Sequence, residues 1–369
     1  MMEWYSIQNA ETLDTPALVI YPDRVKKNLE IVKTFVDDVG KLRPHIKTSK
    51  SPDVIRLMLE AGITKFKCAT IAEAEMLALQ GAKDVLLAYQ PVGPKVRRLC
   101  ELQQHFTQTV FSCLIDNPES LAALSAMADM YRRPIQVLID VNIGMNRTGI
   151  APGDEALQLY REAAHSKGIV FVGLHAYDGH LRDPDLALRT KKCDEAFQPI
   201  DTLRKEIAVA PGKDPVVVAG GTPTFPIHAK RRGVEASPGT FIFWDKGYQQ
   251  TLDEQPFQFA ALVVTRIISK PDSRTVCADL GHKSIAAENP LKQRVYFLNA
   301  PDLEPIGHSE EHMVFRTGAN AACKVGDILY GVPHHICPTV SLYDDAAVCR
   351  NNAVKESWPI LARRRRINI

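Results

Sequence analysis

Three short stretches of this chain bring together residue types that could do chemistry. The first is K-L-R-P-H-I-K-T-S-K, residues 41–50. A lysine amine attacks an aldehyde only when deprotonated, and burial or neighbouring positive charge favours that form. Arg43, His45 and Lys50 supply such neighbours for Lys47; a basic surface segment is the other reading of the same residues. The second stretch is V-A-G-G-T-P-T-F, residues 218–225. A glycine pair after an apolar strand lets backbone N–H groups approach an anion, although a plain turn has the same composition. The third is P-H-H-I-C-P-T, residues 333–339. His335 and Cys337 are two apart, and on an extended segment such positions point to one side. Imidazole nitrogen with thiolate sulfur suits zinc. Two ligands are too few for a structural zinc and fit an open site completed by water or substrate; a buried cysteine beside a packed histidine is the alternative.

The elements that must position these residues are legible as alternation. From about residue 15, short apolar or β-branched runs alternate with helical patterns. The runs are 17–21, 42–47, 65–70, 84–89, 109–116, 135–141, 169–177 and 216–221. Near-continuous apolar runs are the mark of strands buried on both faces. Between them, 24–39 and 72–79 read as helices, and Asn117-Pro118-Glu119 opens another, with Asn117 as its N-cap. This predicts an α/β fold, a (β/α)8 TIM-like barrel over residues 15–250, close to the usual size of about 250 residues. A doubly wound open sheet shares the same periodicity. After residue 250 the texture becomes short strands with Gly, Pro and Asp turns. Residues 251–369 therefore form a C-terminal β-domain, which residues 1–14 join. Lys47 and the glycine pair then fall at strand C-terminal ends, where barrel enzymes keep their reactive groups.

Composition narrows the partners. With 45 basic and 43 acidic residues the net charge is +2, which gives no electrostatic case for nucleic acid or an anionic membrane. The basic run Arg363–Arg366 reads as a solvated tail. No apolar stretch approaches the roughly 20 residues of a membrane span, and the first residues lack a signal-peptide pattern. Eight scattered cysteines without a C-x-x-C pair fit a reducing cytoplasm.

Taken in order, T-P-A-L-V-I-Y, R-P-H-I-K-T-S-K, C-A-T-I-A-E-A-E-M-L-A, D-V-N-I-G-M-N-R-T-G, G-L-H-A-Y-D-G-H, G-G-T-P-T, S-P-G-T-F-I-F, D-L-G-H-K-S, S-E-E-H and P-H-H-I-C-P-T span nearly the whole chain. Together they closely resemble the D-threonine aldolase and D-serine dehydratase family of fold-type III pyridoxal-phosphate enzymes, whose N-terminal barrel is of the alanine racemase kind. The resemblance implies that Lys47 bonds pyridoxal 5'-phosphate. It implies phosphate binding by Gly221 and Thr222, with Gly220 permitting close approach and Gly239 nearby. Arg147 and Tyr177 would line the cofactor pocket, and His175 the barrel mouth. His180 would be the general base, and His335 with Cys337 would hold a divalent metal, zinc or manganese. Asp279, Lys283 and His312 are expected in structural roles. Two positions depart from the family pattern: Ser49 stands where His is usual, and Phe241 where Tyr is frequent.

The expected activity is that of a lyase on D-3-hydroxy amino acids, a retro-aldol cleavage to glycine and an aldehyde. Elimination to a 2-oxo acid and ammonia, as in D-serine dehydratase, is the alternative within the family. An amino-acid racemase and a non-enzymatic pyridoxal-phosphate carrier are the alternatives outside it. The family implies a homodimer.

Overall fold

In the computed structural model of the chain, residues 2–207, 214–318 and 323–369 are described. They divide into two compact units, one of Val32–Lys47, Ile55–Gly239 and Arg364–Ile369, the other of Met1–Ile31, Thr48–Val54 and Thr240–Arg363.

The first unit is a (β/α)8-like barrel. Seven parallel strands, Lys65–Cys68, Asp84–Leu87, Val110–Ile115, Ile135–Val141, Ile169–Ala176, Val216–Ala219 and Val234–Ala236, pair in chain order. The eighth stave is the segment around residues 42–47. Leu42 bridges Ala236 on one side and His45 bridges Lys67 on the other, both in parallel. The Arg43 N–H donates to Ala236 O at 2.9 Å, and the Lys67 N–H donates to Pro44 O at 2.8 Å. Pro44 has no N–H to give, so this stave closes the sheet without becoming a regular strand.

The pleat decides what faces inward. Leu86, Leu114, Leu138 and Val218 cluster across the barrel. Lys67 is in register with Leu86, and His175 with Val218, so both share the inward face with that cluster. Asp140, two residues beyond Leu138 on one strand, joins them.

Local signals set the helices. Asn117 caps Pro118–Tyr131 by accepting the Ser120 N–H at 2.8 Å. Thr70 caps Ile71–Leu79 by accepting from the Glu73 N–H, and the Glu73 carboxylate accepts from the Ala69 N–H at 2.6 Å, a reciprocal box.

The second unit holds a nine-stranded mixed sheet. Its long strand Ala261–Asp272 alternates faces: Val263 and Ile267 pack with Phe297, Met313 and Phe315, while Leu262 and Val264 pack with Tyr21, Tyr330 and Val332. One expectation needs correcting here. The run at 17–21, read as a barrel strand, forms Ala17–Ile20 in this sheet, antiparallel to Ala261–Asp272 and parallel to Asp345–Arg350. An apolar strand covered on both faces looks alike in either setting, so composition does not separate the two. Among the described residues no helix is long and apolar enough to cross a membrane, and no disulfide joins any of the eight cysteines.

The closing stave is tied from below by a buried ion cluster. Arg43 grips both oxygens of Asp84 at 2.7 and 2.9 Å and Glu235 at 2.6 Å. Removing the guanidinium takes the bidentate partner from Asp84 and leaves Glu235 with Lys65. Arg43→Met is expected to cost about 2–4 kcal/mol, read as a lower urea midpoint. An unchanged midpoint would show that the cluster contributes nothing to closure.

Candidate active site

Among the described residues, four groups of side chains are candidates for a site, three in the barrel unit and one in the mixed-sheet unit.

The first is the loop after Val216–Ala219. Gly220 has φ +80°, and a Cβ there would lie 2.8 Å from the His228 ring and 3.1 Å from Thr224 Oγ1. Only glycine fits both the conformation and the space. A Cβ on Gly221 would lie 3.1 Å from the Tyr177 ring. The Gly239 N–H donates to Thr222 Oγ1 at 3.1 Å, which ties the loops after the last two barrel strands together. Gly220, Gly221, Thr222 and Gly239 are all buried. Tyr177, after Ile169–Ala176, carries Arg147 over its ring at 4.9 Å. The structure thus brings Tyr177, Arg147 and Gly221 together. His180 is exposed and lies against Gly144, where a Cβ would sit 3.0 Å from its Nε2. Lys47, half-buried, ends the closing stave, and its N–H donates to His45 Nδ1 at 3.3 Å.

The second group lies under this loop and was not singled out from sequence. Asp178, adjacent to Tyr177, accepts from Thr224 Oγ1 at 2.6 Å and pairs with His228 Nε2 at 2.8 Å. Cys193 Sγ is 3.5 Å from Asp178 Oδ2 and 3.4 Å from His228 Nε2. Burial works to raise the Asp178 carboxyl, but the hydrogen bond and charge of His228, then Thr224, outweigh it and hold it below its usual range. Burial, then the Asp178 charge, pushes the Cys193 thiol up to about 12. Asp178, Cys193 and His228 are also the trio among the described residues whose ligand atoms converge tightly enough to hold a metal ion. The H-A-Y-D-G-H and G-G-T-P-T motifs contain Asp178 and Thr224; Cys193 and His228 fall in no motif, and only the fold joins them.

The third group is a buried chain inside the barrel. Lys67 Nζ is 3.2 Å from His175 Nε2, and His175 Nδ1 is 2.7 Å from Asp140 Oδ1. Gln90 donates to Asp140 at 3.0 Å and to Asp116 at 2.8 Å. Burial pushes Lys67 down to about 7, assisted by the charge of Lys47. Burial, then the Lys67 charge, lowers His175. Burial opposes ionisation of Asp140, yet the His175 hydrogen bond prevails and its carboxyl is held low. A second lysine on the same face of the strand as Lys65, and nearer its C-terminal end, is the signal that reading by motif passes over.

The fourth group is His335 and Cys337, in the mixed-sheet unit. Their side chains hydrogen-bond each other. The reason differs from the extended geometry expected: His335 is the extended N-cap residue of the short helix Ile336–Val340, and Cys337 sits in its first turn. Cys337 Sγ is 3.1 Å from Thr48 Oγ1 and 3.6 Å from Thr240 Oγ1. His335 Nδ1 is 2.5 Å from Glu288. Burial lowers His335, but Cys337 and Glu288 outweigh it and lift it to about 9. Asp245, raised by burial to about 6, accepts the Ile336 N–H at 3.2 Å and fixes the backbone between the two.

The remaining sequence candidates have structural partners. Asp279 accepts from Thr15 at 2.6 Å, from Thr265, and from the Arg266 N–H at 2.8 Å. Lys283 pairs with Glu310 and Glu311 at 2.8 and 3.0 Å. His312 shares a backbone hydrogen bond with Ser309 at 2.8 Å. Phe241 is fully buried against Phe257, and Ser49 is fully buried.

Residues 20–246 match the family model "Alanine racemase, N-terminal domain", and residues 260–349 match a serine dehydratase domain. A D-threonine aldolase of Arthrobacter sp is 29% identical over 361 residues, covering 95% of this chain and 93% of that one. A 3-hydroxy-D-aspartate aldolase of Paracoccus denitrificans is 26% identical over 368 residues, covering 95% and 92%. The crystal structure of D-threonine aldolase from Filomicrobium marinum superposes with a TM-score of 0.87 at 27% identity, covering 97% and 98%.

The Asp178 hub generates a stability prediction. A carboxyl held low in the folded state contributes stability above its unfolded value, and loses it as pH falls through the folded value. Asp178→Asn is therefore expected to lower the melting temperature at neutral pH. The gap to the native protein should narrow as pH falls below about 4. Thermal unfolding across pH reads this; a gap that stays constant into acid would contradict an ionised Asp178.

Proposed function

The chain belongs to the alanine racemase N-terminal domain family of fold-type III pyridoxal-phosphate enzymes and is a lyase on D-amino acids; we propose that it cleaves D-3-hydroxy amino acids by a retro-aldol reaction to glycine and an aldehyde. The observation that carries this reading is the end-to-end likeness to the D-threonine aldolase and the 3-hydroxy-D-aspartate aldolase, across both units.

The residues present fit the cofactor. The Gly220–Gly221 turn is a cradle that a Cβ would fill, bounded by the Thr222–Gly239 tie, and late-strand loops are the usual phosphate site of such barrels. Gly221, Thr222 and Gly239 would hold the phosphate, Tyr177 and Arg147 the ring, and Lys47 the aldehyde carbon. Pyridoxal phosphate supplies the electron sink for breaking a bond at Cα.

The chain's own residues then have distinct tasks. Lys47, whose N–H reaches the His45 ring, would provide the amine that bonds the cofactor's aldehyde carbon and gives way to the substrate's amino group. Tyr177 and Arg147, packed on each other, would line the ring's side of the pocket. His180, exposed on its loop, takes the proton from the substrate 3-hydroxyl. The donor set of His335 and Cys337 suits zinc, with manganese the harder-ion alternative. An ion held there would supply Lewis-acid polarisation to a substrate hydroxyl. We take the working form to be a cytoplasmic homodimer, following the family.

A second reading has its own observation. Residues 260–349 match a serine dehydratase domain, which favours elimination to a 2-oxo acid and ammonia. Incubation with D-threonine and D-serine separates the two. Glycine plus acetaldehyde is the expected result; ammonia plus a 2-oxo acid would move the protein to the dehydratases, and neither product would end the proposal. Lys47→Ala should leave a desalted protein without the cofactor's visible absorbance. Cys337→Ala should lose about 10- to 100-fold in turnover, as should treatment with a chelator, and unchanged turnover in both would remove the metal role.

A further inference from the structure

Lys67 is placed in no family motif and has no part in the mechanism above, yet it is a charged-type side chain only 2% exposed inside the barrel. Its amine is fixed by geometry. Asp140 is ionised, so the His175 Nδ1–H donates to it at 2.7 Å. That tautomer leaves Nε2 as an acceptor, and Lys67 Nζ stands 3.2 Å from it. The same amine lies over the Tyr177 ring, 5.5 Å from its centre, and Arg147 lies over that ring at 4.9 Å. The groups whose charges reach Lys67 are Lys47, Asp140, Arg147, His175 and Asp178.

We propose that Lys67 is a positioning residue of the cofactor pocket, whose amine, held by His175 and Asp140, sets a titratable charge against the Tyr177 ring and so tunes the binding of the pyridoxal-phosphate ring. The inference rests on the cofactor reading given above. Its physical basis is that a buried amine among other cations exchanges its proton near neutral pH, whereas an ordinary lysine stays charged. The pocket therefore has two charge states within the working range.

The test uses the full-length protein loaded with pyridoxal phosphate and freed of excess. Cofactor absorbance is recorded from about pH 6 to 9, beside Lys67→Met, Lys67→Arg and His175→Gln. The native protein is expected to show a single-proton spectral change centred near neutrality. Lys67→Met should keep the cofactor and lose the change, and His175→Gln should move its midpoint by about one pH unit. If Lys67→Met folds but releases the cofactor, restored binding in Lys67→Arg supports the proposal and unrestored binding overturns it. Should Lys67→Met not fold, Lys67→Gln takes its place. A native protein without the transition, or a Lys67→Met variant that keeps it unmoved, overturns this inference and leaves the lyase reading standing. A native protein that takes up no pyridoxal phosphate overturns both.

Discussion

Closure of the barrel depends on a stave that is barely a strand. The segment before Lys47 reaches the last strand through Arg43 N–H to Ala236 O and His45 N–H to Pro238 O, each 2.9 Å. It reaches the first strand through Lys67 N–H to Pro44 O and Ile46 N–H to Lys67 O, at 2.8 and 2.9 Å. These bonds end immediately before Lys47, so the lysine's backbone is set by a ladder while its side chain is not. A reactive group on a rigid strand end is placed more accurately than one on a loop. The Arg43 cluster with Asp84 and Glu235 anchors the other end of the stave, so the segment cannot slide in register without breaking buried ion pairs.

Buried polarity above that frame is arranged as two chains of hydrogen bonds that meet around Tyr177. Asp178 supports the glycine loop from beneath through Thr224 and His228, while Asp140 supports Lys67 through His175. In each, a carboxylate held ionised fixes one ring nitrogen; on His175 the other faces Lys67, whereas His228 Nδ1 is buried without a hydrogen-bond partner. The arrangement has an energetic cost. A buried amine lowered to about 7 subtracts stability fully below that pH, and the cost fades as pH rises toward the ordinary lysine value. A barrel built only for stability would place a leucine there, as its register neighbour Leu86 does. The retained lysine is a departure from apolar patterning of the kind that sites carry.

Most of the barrel was legible because parallel strands covered on both sides are continuous apolar runs, and the strand Ile135–Val141 coincides with the run read from sequence. The cap at Asn117 was legible for a local reason, since a side-chain acceptor three residues from its donor needs no tertiary context. Ala17–Ile20 was not, because its partners are 241 and more residues away in the mixed sheet and nothing local names them. The same limit divides the site. Lys47, Gly220, Gly221 and the His335–Cys337 pair lie in motifs, whereas Cys193, His228 and Lys67 acquire neighbours only when distant strands and helices are brought side by side. His335 and Cys337 were paired in sequence for an extended geometry; they meet instead across a helix start, where the turn carries the cysteine back toward its cap.

The Asp178–Cys193–His228 trio and the proposed His335–Cys337 pair differ in what an ion would have to displace. In the Asp178–Cys193–His228 trio every atom is sealed from water, and its separations of 2.8, 3.4 and 3.5 Å are already spent on hydrogen bonds. An ion entering there must expel the proton shared by Asp178 and His228 and ionise a thiol raised to about 12. It must also leave Asp178's hold on Thr224 intact, or the glycine loop loses its support. His335, by contrast, is exposed and already bonded to Glu288, the carboxylate partner that orients metal-binding imidazoles elsewhere. Cys337 keeps two hydroxyls, of Thr48 and Thr240, as neighbours, and these can turn without breaking a buried charge pair. A catalytic ion needs open positions for substrate and water; an exposed donor such as His335 leaves room for them, which the sealed trio does not.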